Sequence, residues 1–356
     1  MNKTARLSQL KMAMGTSIFI ASFIFGLFLF GLIFIVESYI ADFNLFTGLF
    51  VALGGTGLFI LFQYIVGPII VNASTHLQYL KPNENPWLEN TVRELALKDG
   101  IPMPRLALVP SNSPNAFTFG RTQNSVVLAV HEGLLRQLNQ DEVRGVIAHE
   151  LGHIKHKDYI VMTVLSALPL LAYIIAQFAF RAGVLSSRSR GRKSGNAGAA
   201  IIAVGVIAFI VYIISFLAVM RLSRLREHYS DSYSAYLTGN PRSLQSALAK
   251  ITYGLSIAPK ANAEVRAFYI EDPTQAKQEV TTIMQKKDAY DLDHDGVLDQ
   301  RELELAMEKE ATSTWVQLNN LFATHPPTFK RILLLREIES EMQTGQYTTD
   351  RIYAHI

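Results

Sequence analysis

Four long runs without a charged residue limit what this chain can fold into. Met12 to Val36 is 25 residues with no Asp, Glu, Lys or Arg, and Phe43 to Thr75 is a second such run. Tyr159 to Phe180 and Ala199 to Met220 are 22 residues each and equally free of charge. About 20 apolar residues suffice to cross the hydrocarbon core as a helix. The whole chain is 49% hydrophobic, with a mean hydropathy of +0.18. That is too apolar for an ordinary soluble domain and implies membrane segments. The first run is too long for a signal-peptide core and lacks a small-residue cleavage site after it, so it reads as an uncleaved helix.

Charge sets the expected topology. Lys3, Arg6 and Lys11 precede the first run, and the connection from Glu37 to Asp42 holds no Lys or Arg. The N-terminus is therefore expected inside and that connection outside. The last two runs flank Arg181, Arg188, Arg190, Arg192 and Lys193. Two full spans would put these five charges outside, against the positive-inside rule; a re-entrant or packed hairpin would keep them inside. Length and apolarity favour spanning, and both arrangements remain open. In either case the hairpin crosses an even number of times.

The expected organisation is an N-terminal transmembrane hairpin (1–75), the first half of a cytosolic domain (76–158), a second hydrophobic hairpin (159–222) and the second half of that domain (223–356). The fold class is mainly α, a membrane protein with a small α+β catalytic domain.

Between the second and third runs lies V-I-A-H-E-L-G-H-I-K-H. His149 and His153, four residues apart, share one face of a helix and can grip one zinc ion. Glu150 beside them can take a proton from water on that ion. Val143, Ile147 and Leu151 mark the helix's buried stripe, with Asp141 as a candidate cap. A catalytic zinc takes three protein ligands. The chain has no cysteine, so the third must be His, Asp or Glu. Glu227, in R-L-R-E-H-Y-S-D after the last apolar run, is the candidate. Asp231, one turn on, would hold a liganding imidazole in its tautomer. His156, between Lys155 and Lys157, reads as solvated; His228 reads as packing. His325, in T-H-P-P-T, reads in isolation as a loop histidine whose backbone the prolines fix.

H-E-L-G-H, R-E-x-x-x-D after a hydrophobic hairpin and T-H-P-P, in that order, resemble the HtpX-like membrane zinc metalloproteases, relatives of the CaaX prenyl protease Ste24. P-N-A-F-T-F-G-R (Pro114 to Arg121), S-V-V-L-A-V and G-L-L add to the likeness. The resemblance implies a gluzincin-type endopeptidase of the prokaryotic plasma membrane, its active site facing the cytoplasm. It implies quality control of misfolded or damaged membrane proteins, with other membrane quality-control proteases as candidate partners. It implies His149, His153 and Glu227 as zinc ligands and Glu150 as general base. It places Asp231 behind the zinc, His325 at the transition state and Arg331 after it. Asn115, Ala116 and Phe117 would border a cleft where extended peptide pairs with a strand edge.

One segment departs from that family. Residues 291–302, D-L-D-H-D-G-V-L-D-Q-R-E, fit an EF-hand loop at every position. Asp291, Asp293, Asp295, the Val297 carbonyl, Asp299 and Glu302 would be the Ca²⁺ ligands. Apolar Val280, Ile283, Met284, Leu303 and Met307 flank the loop, which reads as an insertion over about 278–310.

A net charge of +3 gives no basis for a nucleic-acid partner. A transporter predicts ionisable residues within its spans, and the four runs have none. A prenyl-CaaX protease needs more membrane helices to wall its chamber. The alternative to a peptidase is a calcium-sensing membrane scaffold, which has no need to keep Glu150.

Overall fold

The computed structural model describes residues 12, 15–16, 19–20, 22–30, 45–188, 194–257, 281–292, 294, 305–306, 309, 323–348 and 352–353. In the first apolar run, residues 22–30 are helical. Helix α1 follows (Leu45–Thr75), then strand β1 (Gln78–Tyr79), helix α2 (Pro86–Lys98) and strands β2 (Arg105–Val109), β3 (Ala116–Phe119) and β4 (Val127–His131). Helices α3 (Glu132–Gln137), α4 (Gln140–His156), α5 (Asp158–Arg188), α6 (Ser194–Thr238), α7 (Pro241–Ile257) and α8 (Thr328–Gln343) follow, besides single helical turns at Gln123–Ser125 and Lys287–Tyr290. Three of these helices are long and apolar enough to cross a membrane, over Phe46–Thr75, Asp158–Ser186 and Gly198–Thr238. The protein is thus mainly helical, with one small mixed sheet.

The chain divides into two compact units. One comprises Leu10–Gly67 and Val161–Leu222. Its core joins Phe25, Phe28 and Leu29 to Leu168, Ala172 and Ala176 of α5 and to Ala208 and Val211 of α6. Alanine on both helices lets their backbones come close, as small residues do where no water drives association. Gly183 does the same: a Cβ there would lie 2.6 Å from Ile202 and 3.1 Å from the Gly198 carbonyl.

The other unit includes Pro68–Ile160 and Ser223–Ile356. Its sheet has the order β1-β2-β4-β3, with β2 and β4 parallel and both outer pairings antiparallel. β3 is an edge strand that pairs only with β4 among the described residues. Its side chains alternate between faces, as the two-residue period requires. Phe117 and Phe119 join Val71, Ala107, Val109, Val127 and Ala129 in one apolar layer. Thr118, on the opposite face, meets α4.

Helix α4 carries the H-E-x-x-H motif and has strong local signals. Its cap is Asn139, not Asp141. The Asn139 side chain accepts from the Glu142 amide at 2.9 Å, and Glu142 accepts from the Asn139 amide at 2.8 Å. This reciprocal capping box satisfies two otherwise orphaned donors. The buried Glu142 is also clasped by Lys250 and Ser246 of α7. Val143, Ile147 and Leu151 are buried as expected, and α7 packs against both α4 and α8. α4 ends at Lys157 in the left-handed conformation, φ 60°, a rare state for a residue with a Cβ.

Candidate metal and catalytic site

His149, His153 and Glu227 converge, with their ligand atoms within 4.8 Å of one another. The His149 and His153 Nε2 atoms are 3.1 Å apart. Glu227 places Oε2 3.5 Å from His149 Nε2 and Oε1 3.4 Å from His153 Nε2. Two distant pieces of chain make this possible. α4 supplies both imidazoles, and α6 crosses it closely enough to supply the carboxylate. A Cβ on Gly152 would lie 3.1 Å from the Cα of Ser230, so the glycine of H-E-L-G-H is what admits α6.

Each imidazole is held from behind. His149 Nδ1 lies 2.9 Å from Asp231 Oδ1, and Asp231 receives a two-pronged bond from Arg331. His153 Nδ1 lies 2.6 Å from Asp158 Oδ2 and 3.1 Å from the Ser230 hydroxyl. A carboxylate at each Nδ1 fixes the hydrogen there, so both Nε2 lone pairs point into one small space. A tetrahedral zinc with bonds of about 2.0–2.1 Å would separate its donors by about 3.3 Å, close to the three separations seen. The donor set and its spacing therefore fit zinc. Burial opposes charge on His149, but hydrogen bonds with Asp231 and Glu227 outweigh it and raise its pKa to about 9. A metal entering this site displaces a proton.

Glu150 is buried beside the pair and hydrogen-bonded to Thr118 of β3. Burial pushes its carboxyl above the usual carboxylate range, while the two histidines and Thr118 oppose the shift. A raised pKa suits a base that must later give its proton back. His325 is buried, with Nε2 3.8 Å from Glu227 Oε1 and Nδ1 2.9 Å from the Thr324 hydroxyl. Its segment is tied down by Arg224 of α6, which donates to the Ala323 carbonyl at 2.8 Å. Arg331, fully buried, also lies 3.4 Å from Glu227 Oε2.

A profile of peptidase family M48 matches residues 82–339. The chain belongs to peptidase family M48. It is similar to the protease HtpX homologue of Aeropyrum pernix, 33% identical over 303 residues, covering 82% of this chain and 90% of that one. The homologue of Methanothermobacter thermautotrophicus is 37% identical over 243 residues, 68% of this chain and 88% of the other. That of Bacteroides fragilis is 30% identical over 289 residues, 80% and 79%. A crystal structure of S. mikatae Ste24p aligns with a TM-score of 0.47 at 17% identity, over 94% of this chain and 67% of that one. The M48 chain is thus a membrane metalloprotease of the HtpX type, and its His-His-Glu cluster suits that family's zinc dependence.

Other expected positions come out differently in this M48 peptidase. The Phe117 side chain lies in the apolar layer on the far face of β3, so only the neighbouring Ala116 side chain and the strand's backbone remain as cleft candidates. Asn115 is buried, and its carbonyl accepts from the His131 amide at 2.9 Å. His156 is not solvated: Tyr229, Tyr233 and Tyr353 wall it, and its Nε2 meets the Tyr353 hydroxyl at 2.8 Å. Of the acidic loop, Asp291 is described and buried, whereas Asp293, Asp295, Val297, Asp299 and Glu302 lie outside the described residues. Before it, Ile283 is buried but Met284 is exposed. Sequence reasoning missed Thr118, Asp158, Arg224 and Arg226. Strand alternation could have pointed to Thr118, because its face is opposite the two phenylalanines. Asp158 follows a helix end that carries neither Gly nor Pro, and nothing in sequence marks that turn.

Proposed function

We propose that this chain is a zinc endopeptidase that hydrolyses misfolded or damaged membrane proteins in a prokaryotic plasma membrane, its site facing the cytoplasm. The single observation behind this reading is the placement of Glu150. It lies beside the His-His-Glu cluster and is tied by Thr118 to an edge strand. Bound zinc would polarise the scissile carbonyl and acidify the attacking water. Glu150 accepts the proton from that water and passes it to the leaving amine. With Thr324 donating to His325 Nδ1, the His325 Nε2 carries a hydrogen and donates to the carbonyl oxygen as charge develops. Such a contact is worth roughly 3 kcal/mol in comparable sites. Substrate backbone pairs with β3, which commits the enzyme to extended peptide and little to sequence. The orientation rests on Lys3, Arg6 and Lys11 before the first apolar run.

The test is cleavage of an unfolded membrane protein in detergent by wild type and Glu150→Gln, after chelation and after zinc return. Zinc-dependent cleavage lost in the variant is the expected result; equal cleavage by both proteins would overturn the reading.

We propose further that residues 291–302 bind Ca²⁺, since all six ligand positions and Gly296 fit the loop's requirements. The loop lies between Asp231 and His325 in sequence, so its occupancy would bear on how the His325 segment closes. Calcium is expected to protect residues 260–325 from added protease and to change the cleavage rate. No change in either would refute a regulatory role.

A further inference from the structure

We infer that Asp158, ion-paired with Arg226, is a positioning residue for the second zinc histidine, and that the left-handed turn at Lys157 exists to aim it. The inference rests on the zinc-site reading above.

The two imidazoles have matching supports built from unrelated parts of the chain. Behind His149 stands Asp231, fixed by Arg331 from α8. Behind His153 stands Asp158, fixed by Arg226 from α6. Asp158 divides its carboxylate: Oδ2 takes the His153 Nδ1 at 2.6 Å, and Oδ1 meets the Arg226 guanidinium. Both ends of that ion pair are buried, with side-chain exposures of 3% for Arg226 and 8% for Asp158. Among the described residues, Asp158 is the only carboxylate in ion-pair contact with Arg226. A guanidinium is rarely buried without cause. Here it is ion-paired with the carboxylate that stands behind the His153 imidazole.

The backbone argues the same way. Asp158 is five residues after His153, and on an unbroken helix it would lie about 140° around the axis from it. It reaches the imidazole because the helix breaks at Lys157, with φ 60° and ψ 37°. The Lys157 amide caps the broken end on the carbonyls of His153 and Ile154. The next helix then starts with Asp158 turned back on His153. A left-handed lysine costs energy that a straight helix would not, and such strain is retained where a function needs the geometry. The charge-free run that begins at Tyr159 follows at once, so Asp158 is the last place for a carboxylate before it.

Outer carboxylates of this kind raise the basicity of a ligand histidine and fix its ring, and their loss weakens metal binding about 10- to 100-fold. The experiment measures Zn²⁺ affinity of the full-length protein in detergent by competition with a chelator. Melting of the zinc-free protein is followed in parallel. Asp158→Asn is expected to bind zinc at least about tenfold more weakly and to lose cleavage that excess zinc restores only in part. Because that variant leaves a buried guanidinium unpaired, Asp158→Asn/Arg226→Gln is measured too. It removes both charges, and the same loss of zinc affinity is expected. Wild-type affinity in the double variant would overturn the inference. Glu227→Gln separates this outcome from failure of the zinc reading. If Glu227→Gln loses zinc while the Asp158 variants keep it, only the positioning role falls. If Glu227→Gln keeps wild-type affinity, the zinc site itself is wrong.

Discussion

Arg331 donates two hydrogen bonds to Asp231 from 100 residues away, Nε to Oδ2 at 2.9 Å and Nη2 to Oδ1 at 2.7 Å, with both side chains fully buried. Such a planar fork cannot be reproduced by a lysine. Removing one partner of a buried pair costs roughly 3–5 kcal/mol, because the other charge stays behind. Arg331→Met is therefore expected to lower stability by that amount and to weaken zinc binding about 10- to 100-fold through His149. Thermal unfolding and chelator competition check the two effects.

Glu150→Gln keeps the shape of the site and removes the proposed base. Cleavage is expected to fall about 10²- to 10⁴-fold, the usual worth of a positioned base, with zinc affinity little changed. Thr118→Val acts on the same carboxyl more gently. Thr118 opposes the upward shift of Glu150, so its loss raises that pKa further. The base must be ionised to act, and the acidic limb of the pH–rate profile is expected to move to higher pH. An unshifted limb would show that Thr118 does not govern Glu150.

The catalytic unit should lose stability in mild acid. Burial holds His131 and His156 at about 4, down from 6.5. Both stay neutral in the fold while the unfolded chain takes up protons below about pH 6.5. Their contribution to stability is therefore full above that value and falls as pH drops towards about 4, by at most about 3 kcal/mol per histidine. The unfolding midpoint in denaturant is expected to fall between about pH 7.5 and 5. A flat profile over that range would contradict the burial of these rings.

Gly152→Ala would put a methyl group 3.1 Å from the Cα and the hydroxyl of Ser230. α6 must then shift by a few tenths of an ångström, and Glu227 moves with it. The expected cost is about 1–3 kcal/mol of stability and a measurable drop in zinc affinity, while Gly152→Ser, larger still, loses more.

Much of this site is legible in the amino-acid sequence alone. His149, Glu150 and His153 need only the helical period, and Glu227 and Asp231 need the same period on a second helix. The side chains they name converge in the fold because geometry on a helix is local. Asp158 escapes because its role depends on one backbone torsion at Lys157, and side-chain spacing carries no record of it. Arg331 has no local signature either; its place comes from a resemblance, and its partner from the packing of α8. The fold is legible in its apolar runs, since the bilayer demands length and little else. The strand order is not, because parallel pairing of β2 with β4 is decided by contacts distant in sequence. His156 misleads for a similar reason: two flanking lysines suggest water, but the tyrosines that enclose it arrive from residues 229, 233 and 353.

The proposed zinc ligands are divided by the hydrophobic hairpin, two before it and one after. A nascent chain that has emerged only as far as Lys157 has both histidines and Glu150 but not Glu227. It cannot complete the cluster until residues 159–222 have been made and Glu227 has followed them. His325 and Arg331 come later still. The order of synthesis therefore acts as a safety catch, and the chain acquires the means to cut other proteins only after its last hydrophobic segment has been made.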